Sequence, residues 1–396
     1  MSTAVMTPRL ELESVAGSAL KAATRFWFAV AVVGQVVFAF ATASFYGLTA
    51  LRGDYHGWRI TQGHVAGDIV GNSAVALHLI SAVVIMLAGA VQLVPQVRSR
   101  FPVFHRWNGR TYMLAALAVS AAGAYMTWRG SVGDVFQHLG GTLDAVLIWL
   151  LAGMALRYAV ARDFKTHRRW ALRFFLVVSA AWFFRIMFFL SFLVFKGPVG
   201  FDPTTFRGPF LTFMSFGQYL LPLAVLELYL RAQDRPGTVR RMATAAMLFI
   251  ITLAMGAGIF AVTVAAWVPQ VKSAFDSRKS IAETLFRTMA SSGIEEALTQ
   301  YRDLKTASPT TYNFDEDQLN ALGYRLIQAE KYKEAVRIFE LNVEAYPQSS
   351  NVYDSLGEAY MDDGNKAQAV ANYQKSLELN PKNGNAVVML RRLNAP

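Results

Sequence analysis

Apolar residues gather along this chain in seven long runs, at residues 26–51, 74–95, 107–128, 139–160, 171–195, 209–230 and 242–268, separated by short polar stretches. Each run holds roughly the 20 residues a helix needs to cross hydrocarbon, where every backbone donor and acceptor must be satisfied within the segment. Beyond residue 270 the pattern changes, and apolar positions recur at helical spacing among many charges. The expected fold is therefore all-α, a polytopic bundle of seven transmembrane helices followed by a soluble helical domain. Its expected limits are an N-terminal tail over 1–24, a transmembrane domain over 25–269 and a soluble domain over 270–396.

Composition agrees, with 54% hydrophobic and only 16% charged residues among 396. The net charge of +11 does not point to nucleic acid, because the basic residues cluster in short loops between the apolar runs. Arg9, Lys21, Arg25, Arg98, Arg100, Arg106, Arg110, Arg157, Arg162, Lys165, Arg168, Arg169, Arg173, Arg231, Arg235, Arg240 and Arg241 fall on the side that holds the N-terminus. Only Arg52, Arg59, Arg129, Lys196 and Arg207 fall opposite. The positive-inside bias then puts the N-terminus in the cytoplasm and residues 270–396 in the periplasm of a bacterial inner membrane, with lipid as the surrounding partner. Trp58, Trp128 and Trp267 near the outer ends and Trp107 and Trp170 near the inner ones suit an aromatic belt. No cysteine is present, which excludes thiolate metal sites, thiol catalysis and disulfides. No phosphate-cradling glycine loop or nucleophile elbow occurs either.

The soluble part repeats itself. Leu322-Gly323 recurs as Leu356-Gly357, Ala335 as Ala369, Phe339 as Tyr373 and Pro347 as Pro381, each at a spacing of 34 residues. Over residues 315–385 this resembles the tetratricopeptide repeat, and Ala297, Tyr301 and Pro309 mark a looser preceding copy. The resemblance implies stacked helix pairs whose concave face holds a protein or peptide. The stretch is also similar to the repeats appended to secreted bacterial serine hydrolases, without their nucleophile motif.

Four of the six histidines sit at the ends of successive spans. His78 and His138 belong near the outer starts of the second and fourth, and His105 and His167 near the inner starts of the third and fifth. Two imidazoles at equal depth on neighbouring helices are what axial ligation of haem requires, so the spacing allows one or two b-type haems stacked along the membrane normal. Arg106, Arg110, Arg168 and Arg173 flank the inner pair and would neutralise propionates. The arrangement resembles the two-haem transmembrane cytochrome b family of ascorbate and ferric reductases.

A second resemblance covers about residues 30–230. His78 with Gly89 and Gln92, then His105-Arg106-Trp107 with Gly109-Arg110 and Tyr112, then His167 with Trp170, Arg173 and Arg185, is similar to the bacterial membrane family called domain of unknown function 2306. It implies that His78, His105 and His167 share a site and supplies no reaction. His138 rests on the pairing of depths alone.

Arg185 lies mid-span, where a charge costs about 2.5 kcal/mol or more unless it is paired or hydrated, and is expected to face the bundle interior and meet an anionic cofactor, a lipid group or an acidic side chain. Asp144 and Glu227 are the available acids, and Gln35, Gln92 and Gln218 could form a polar track with them. His56 and His64, with Asp54 and Asp68, could bind a metal or small oxidised substrate in an outer loop, though their spacing fits no standard zinc site. Two functions follow from different classes. One is an oxidoreductase passing electrons through haem b from a cytoplasmic or quinol donor to an external acceptor, with the repeats recruiting a protein. The other is a non-enzymatic adaptor whose spans present the repeats to a partner; a quinone- or lipid-binding transporter using Arg185 and Glu227 is a third reading.

Overall fold

The computed structural model describes residues 8–53, 55, 58, 65, 67–130, 133–202, 205–235 and 237–393, and they fold as two units, Met1–Phe275 and Asp276–Pro396. The first unit comprises α1 (Pro8–Leu51), α2 (Ile69–Gln92), the short α3 (Pro95–Arg100), α4 (Pro102–Arg129), α5 (Val135–Val160), α6 (Phe164–Val178), α7 (Ala180–Phe195), α8 (Pro209–Asp234), α9 (Thr238–Val262) and α10 (Val268–Phe275). A single π-helical turn, Thr263–Trp267, joins the last two.

The hydropathic runs and the helices coincide, with four differences. Residues 8–24, expected as a tail, are the first turns of the 44-residue α1, since nothing in their alanine-rich stretch breaks the helix. The run at 171–195 is not one rod, because α6 and α7 meet at Ser179 with a bend of 53°. Ser179 caps both segments, and its hydroxyl accepts a bond from the Gln35 amide at 3.2 Å, which anchors the break inside the bundle. Trp267 is buried against Phe38 and takes no part in a surface belt. The unit boundary lies at Phe275, past the expected 269, because α10 continues the last helix.

Among the described residues five helices are long and apolar enough to cross a membrane, and the bent pair α6–α7 makes a sixth. The remaining expected span, α4, has the length but not the hydropathy; Trp107, Asn108, Arg110 and Tyr112 dilute it. It packs against both α2 and α5 all the same, with Ala116 fully enclosed. The core of the unit runs through Ile85, Tyr112, Phe175, Trp182, Ile186 and Tyr219.

In the second unit β1 (Lys279–Ser280) leads into α11 (Ile281–Ser292) and α12 (Ile294–Ala307), and β2 (Tyr312–Asn313) pairs with β1 in parallel. Then come α13 (Glu316–Gln328), α14 (Tyr332–Ala345), α15 (Ser350–Asp362), α16 (Lys366–Leu379) and α17 (Gly384–Leu393). Ala297, Ala335 and Ala369, the repeating small residues, are each completely buried, as helix pairs in close contact require. The looser first copy is thus a true helix pair, and the two-residue strands flank it, β1 before α11 and β2 after α12. The chain is an all-α membrane protein with an appended stack of helical repeats.

Candidate functional site

Two glycines let α2 and α4 approach. A Cβ on Gly89 would meet the Tyr112 ring at 2.9 Å, and one on Gly109 would meet the Gln92 amide nitrogen at 2.8 Å. Small residues at such contacts are how membrane helices pack without a hydrophobic driving force. The close approach aligns one face of α4, His105, Asn108, Gly109 and Tyr112, with Gly89 and Gln92 on α2.

A chain of hydrogen bonds then sets the proton on His105. The Ala88 carbonyl accepts from the Asn108 amide at 2.9 Å, so that amide can only donate. The same Asn108 nitrogen donates to the Gln92 side-chain oxygen at 2.8 Å. Gln92 is left with its NH2 group toward His105 Nε2, 3.3 Å away, which must accept. The neutral ring therefore carries its hydrogen on Nδ1, a buried atom with no partner. Buried polar groups of this kind are rare and call for an explanation.

His167 is set the opposite way. Its Nδ1 donates to the Ala155 carbonyl at 2.8 Å, and Nε2 is the lone-pair face. Asp163 holds this end of α6 in place, accepting from the Thr166 backbone N–H at 3.1 Å as N-cap. Thr166, through its side chain and its N–H, keeps the Asp163 carboxyl below the usual carboxylate range. His105 and His167 lie near enough to influence each other electrostatically. Both line a single cavity of about 2280 Å³, walled by residues of α1 to α9. Tyr112, 5% exposed, lines it too, and its buried hydroxyl has no hydrogen-bond partner. The site thus offers a donor on His105, an acceptor on His167 and a hydroxyl able to do either. The cavity is mostly apolar, which is the usual make-up of a small-molecule pocket.

The remaining expected residues distribute differently. Arg106, Arg110 and Arg168 line the cavity, and Arg110 stacks over Trp107 at 4.8 Å. Arg173 does not, because it is taken by Glu227 of α8 at 2.7 Å and rests on Trp170. Arg169, one turn away on the same face of α6, pairs with Asp234 of α8. Glu227 is therefore not the partner of Arg185. Arg185 faces inward as expected, but it finds the Ala181 carbonyl at 2.6 Å and the Phe38 ring at 5.4 Å, with His78 and Tyr46 as electrostatic neighbours.

The outer histidines each rest on α4. His78 Nδ1 donates to the Val119 carbonyl at 3.3 Å, and its ring lies over Gly123. The His138 ring meets Trp128 edge-on at 5.4 Å, and Trp128 donates to Thr142 of α5 at 2.8 Å. The two inner histidines thus share a cavity, whereas the outer two occupy separate places along α4. The glutamines form no continuous track: Gln35 binds Ser179, Gln218 binds the Ser215 carbonyl, and Gln92 alone reaches the cavity. The Asp144 side chain lies near Tyr219, with one buried carboxyl oxygen unpartnered. His56, His64 and Asp54 lie outside the described residues, while Asp68 caps α2 and pairs with Arg129. Among the described residues no cluster of three or more metal-ligating side chains occurs.

A helical membrane bundle with a polar pair inside an apolar cavity, joined to helical repeats, is the class that fold and site define. Comparison with known proteins agrees. Residues 75–206 match the family described as predicted membrane protein (DUF2306), and residues 350–383 match the tetratricopeptide repeat. The first match takes in His78, His105, His138, His167 and Arg185. No curated protein matches the chain.

Proposed function

We propose that this protein is a bacterial inner-membrane binding protein whose bundle holds a ligand between His105 and His167, while its periplasmic repeats recruit a protein partner. The observation that carries the reading is that His105 and Tyr112, each with a buried polar atom that has no partner, line one mostly apolar cavity together with His167. An oxygenated ligand would give such groups partners, and a buried polar atom left without one, as His105 Nδ1 and the Tyr112 hydroxyl are, costs about 1–3 kcal/mol. The N-terminus belongs in the cytoplasm by the distribution of arginine and lysine. The repeats supply the partner-binding surface that such stacks present.

A second reading is haem b at the same place, serving electron transfer across the membrane from a cytoplasmic or quinol donor to an external acceptor. It is favoured by His167, whose Nδ1 is anchored on a backbone carbonyl in the way axial histidines are oriented. Arg106, Arg110 and Arg168 could meet propionates from the cavity lining. The donor set does not suit two imidazole ligands, however, because His105 Nε2 already accepts from Gln92. In this arrangement His167 alone fits an axial position.

Purified full-length protein separates these readings in one preparation. A visible spectrum with a Soret band and a pyridine haemochrome assigns haem. A colourless protein whose solvent extract contains a stoichiometric small molecule supports the first reading, and an empty extract overturns both.

A further inference from the structure

Charge on the cavity wall is one-sided. Lys21 and Arg25 come from α1, Arg98 from α3, and Arg106 and Arg110 from α4. Arg162, which follows α5, and Arg168 of α6 complete the set. Among the described residues no aspartate or glutamate lines this cavity, and none of these seven cations takes part in an ion pair.

The shortage of acids is local. On the same helix as Arg168, Arg169 and Arg173 are both neutralised by Asp234 and Glu227 of α8. Acidic side chains are therefore present in this part of the bundle but are spent on the face turned away from the cavity. All seven are exposed and so form the open rim of the cavity, where cations gathered without counterions beside an apolar interior attract an anion. Six of the seven are arginines, whose planar forks match phosphate oxygens two at a time. Arg162 even occupies a left-handed backbone position, φ 58°, where glycine is the usual residue.

The depth of the cavity adds the second half of the ligand. Below the cations its wall is Leu117, Phe175, Ile186, Leu190 and Met255, with no charged group among them. Pro222, inside α8, also lines it, and a proline there removes one helical hydrogen bond. The volume of about 2280 Å³ exceeds the roughly 300–1,000 Å³ of common small-molecule pockets.

We infer that the ligand is a phosphate-headed, long-tailed membrane amphiphile, its phosphate on the arginine rim near His105 and His167 and its tail within the bundle. The inference rests on the ligand-binding reading above and names its substrate class. Two sources carry this chemistry, a diacyl phospholipid with an exposed phosphate and a polyprenyl phosphate.

The test is native mass spectrometry of full-length protein released from neutral detergent after incubation with phosphatidic acid, a long-chain polyprenyl phosphate, phosphatidylcholine or a neutral prenyl quinone. One phosphate-headed lipid should be retained at least about tenfold better than phosphatidylcholine. The stronger of the two phosphate arms identifies the source. The Arg106→Gln/Arg110→Gln/Arg168→Gln variant should lose that preference. The charge-matched Arg100→Gln/Arg231→Gln/Arg235→Gln variant, which leaves the cavity lining intact, should keep it. Equal retention of all four lipids, or equal loss in both variants, overturns the inference. Preferential retention of the quinone overturns the phosphate class and leaves the ligand reading standing. A protein that retains none of the four and yields an empty extract overturns both.

Discussion

The Asn108 amide donates to the Gln92 side-chain oxygen over 2.8 Å across the contact of α2 with α4, and through Gln92 it decides which nitrogen of His105 carries the proton. The relay can be reversed. In Asn108→Asp the new carboxylate only accepts, so Gln92 must turn its NH2 toward it and present its oxygen to His105 Nε2. The proton should move from Nδ1 to Nε2, visible as an exchange of the two 15N shifts of labelled His105 in detergent-solubilised protein. Unchanged shifts would show that Gln92 does not control the ring.

Arg173 and His167 share α6 but have separate duties. Arg173→Ala should weaken the hold of α6 on α8, by up to about 1 kcal/mol for a pair partly open to solvent, and leave ligand retention unchanged. His167→Ala should do the reverse, abolishing retention with little change in the thermal midpoint. Ligand loss in Arg173→Ala without unfolding would return that arginine to the site.

Asp163 makes the position of His167 sensitive to acid. Its carboxyl is held below the ordinary value by Thr166, so its stabilising effect is fully present above about pH 4, the unfolded value. That effect is lost as pH falls through the lower folded value. Amide protection factors in the first turn of α6 should therefore drop below about pH 4 in the wild type. In Asp163→Ala they should already be low at neutral pH. Protection in the wild type that is constant down to about pH 2 would contradict the cap.

These helices were largely legible from hydropathy because apolar length is a local property. That His105 and His167 would lie at the same end of the bundle was legible too, since successive spans run antiparallel, and both line one cavity. What escaped was set by tertiary contact. Nothing in the run at 171–195 announces a break at Ser179, where Gln35 of α1 donates to the serine hydroxyl. Arg173 looked like a neighbour of His167 because the two are close in sequence, but the helix turns it toward Glu227. Asn108 was passed over within Trp107-Asn108-Gly109-Arg110, since its role exists only once Gly89 and Gly109 let two helices touch.

In the repeats the same close approach governs stability. A Cβ on Gly323 would lie 2.4 Å from the Phe339 ring, whereas one on Gly357 would lie 3.1 Å from Tyr373. Gly323→Ala should destabilise the α13–α14 pair by about 1–3 kcal/mol, the usual cost of overpacking, and Gly357→Ala by less. Hydrogen exchange of α13 and α14 in the full-length protein reads the difference. Equal effects would mean that Phe339 yields freely.

The most direct test of the central claim is the ligand content of purified protein compared with that of the His105→Ala/His167→Ala variant, measured by quantitative mass spectrometry of solvent extracts from both. The expected result is close to one small molecule per wild-type chain and none in a variant that still folds. An equal amount in the two, or none in either, would contradict it.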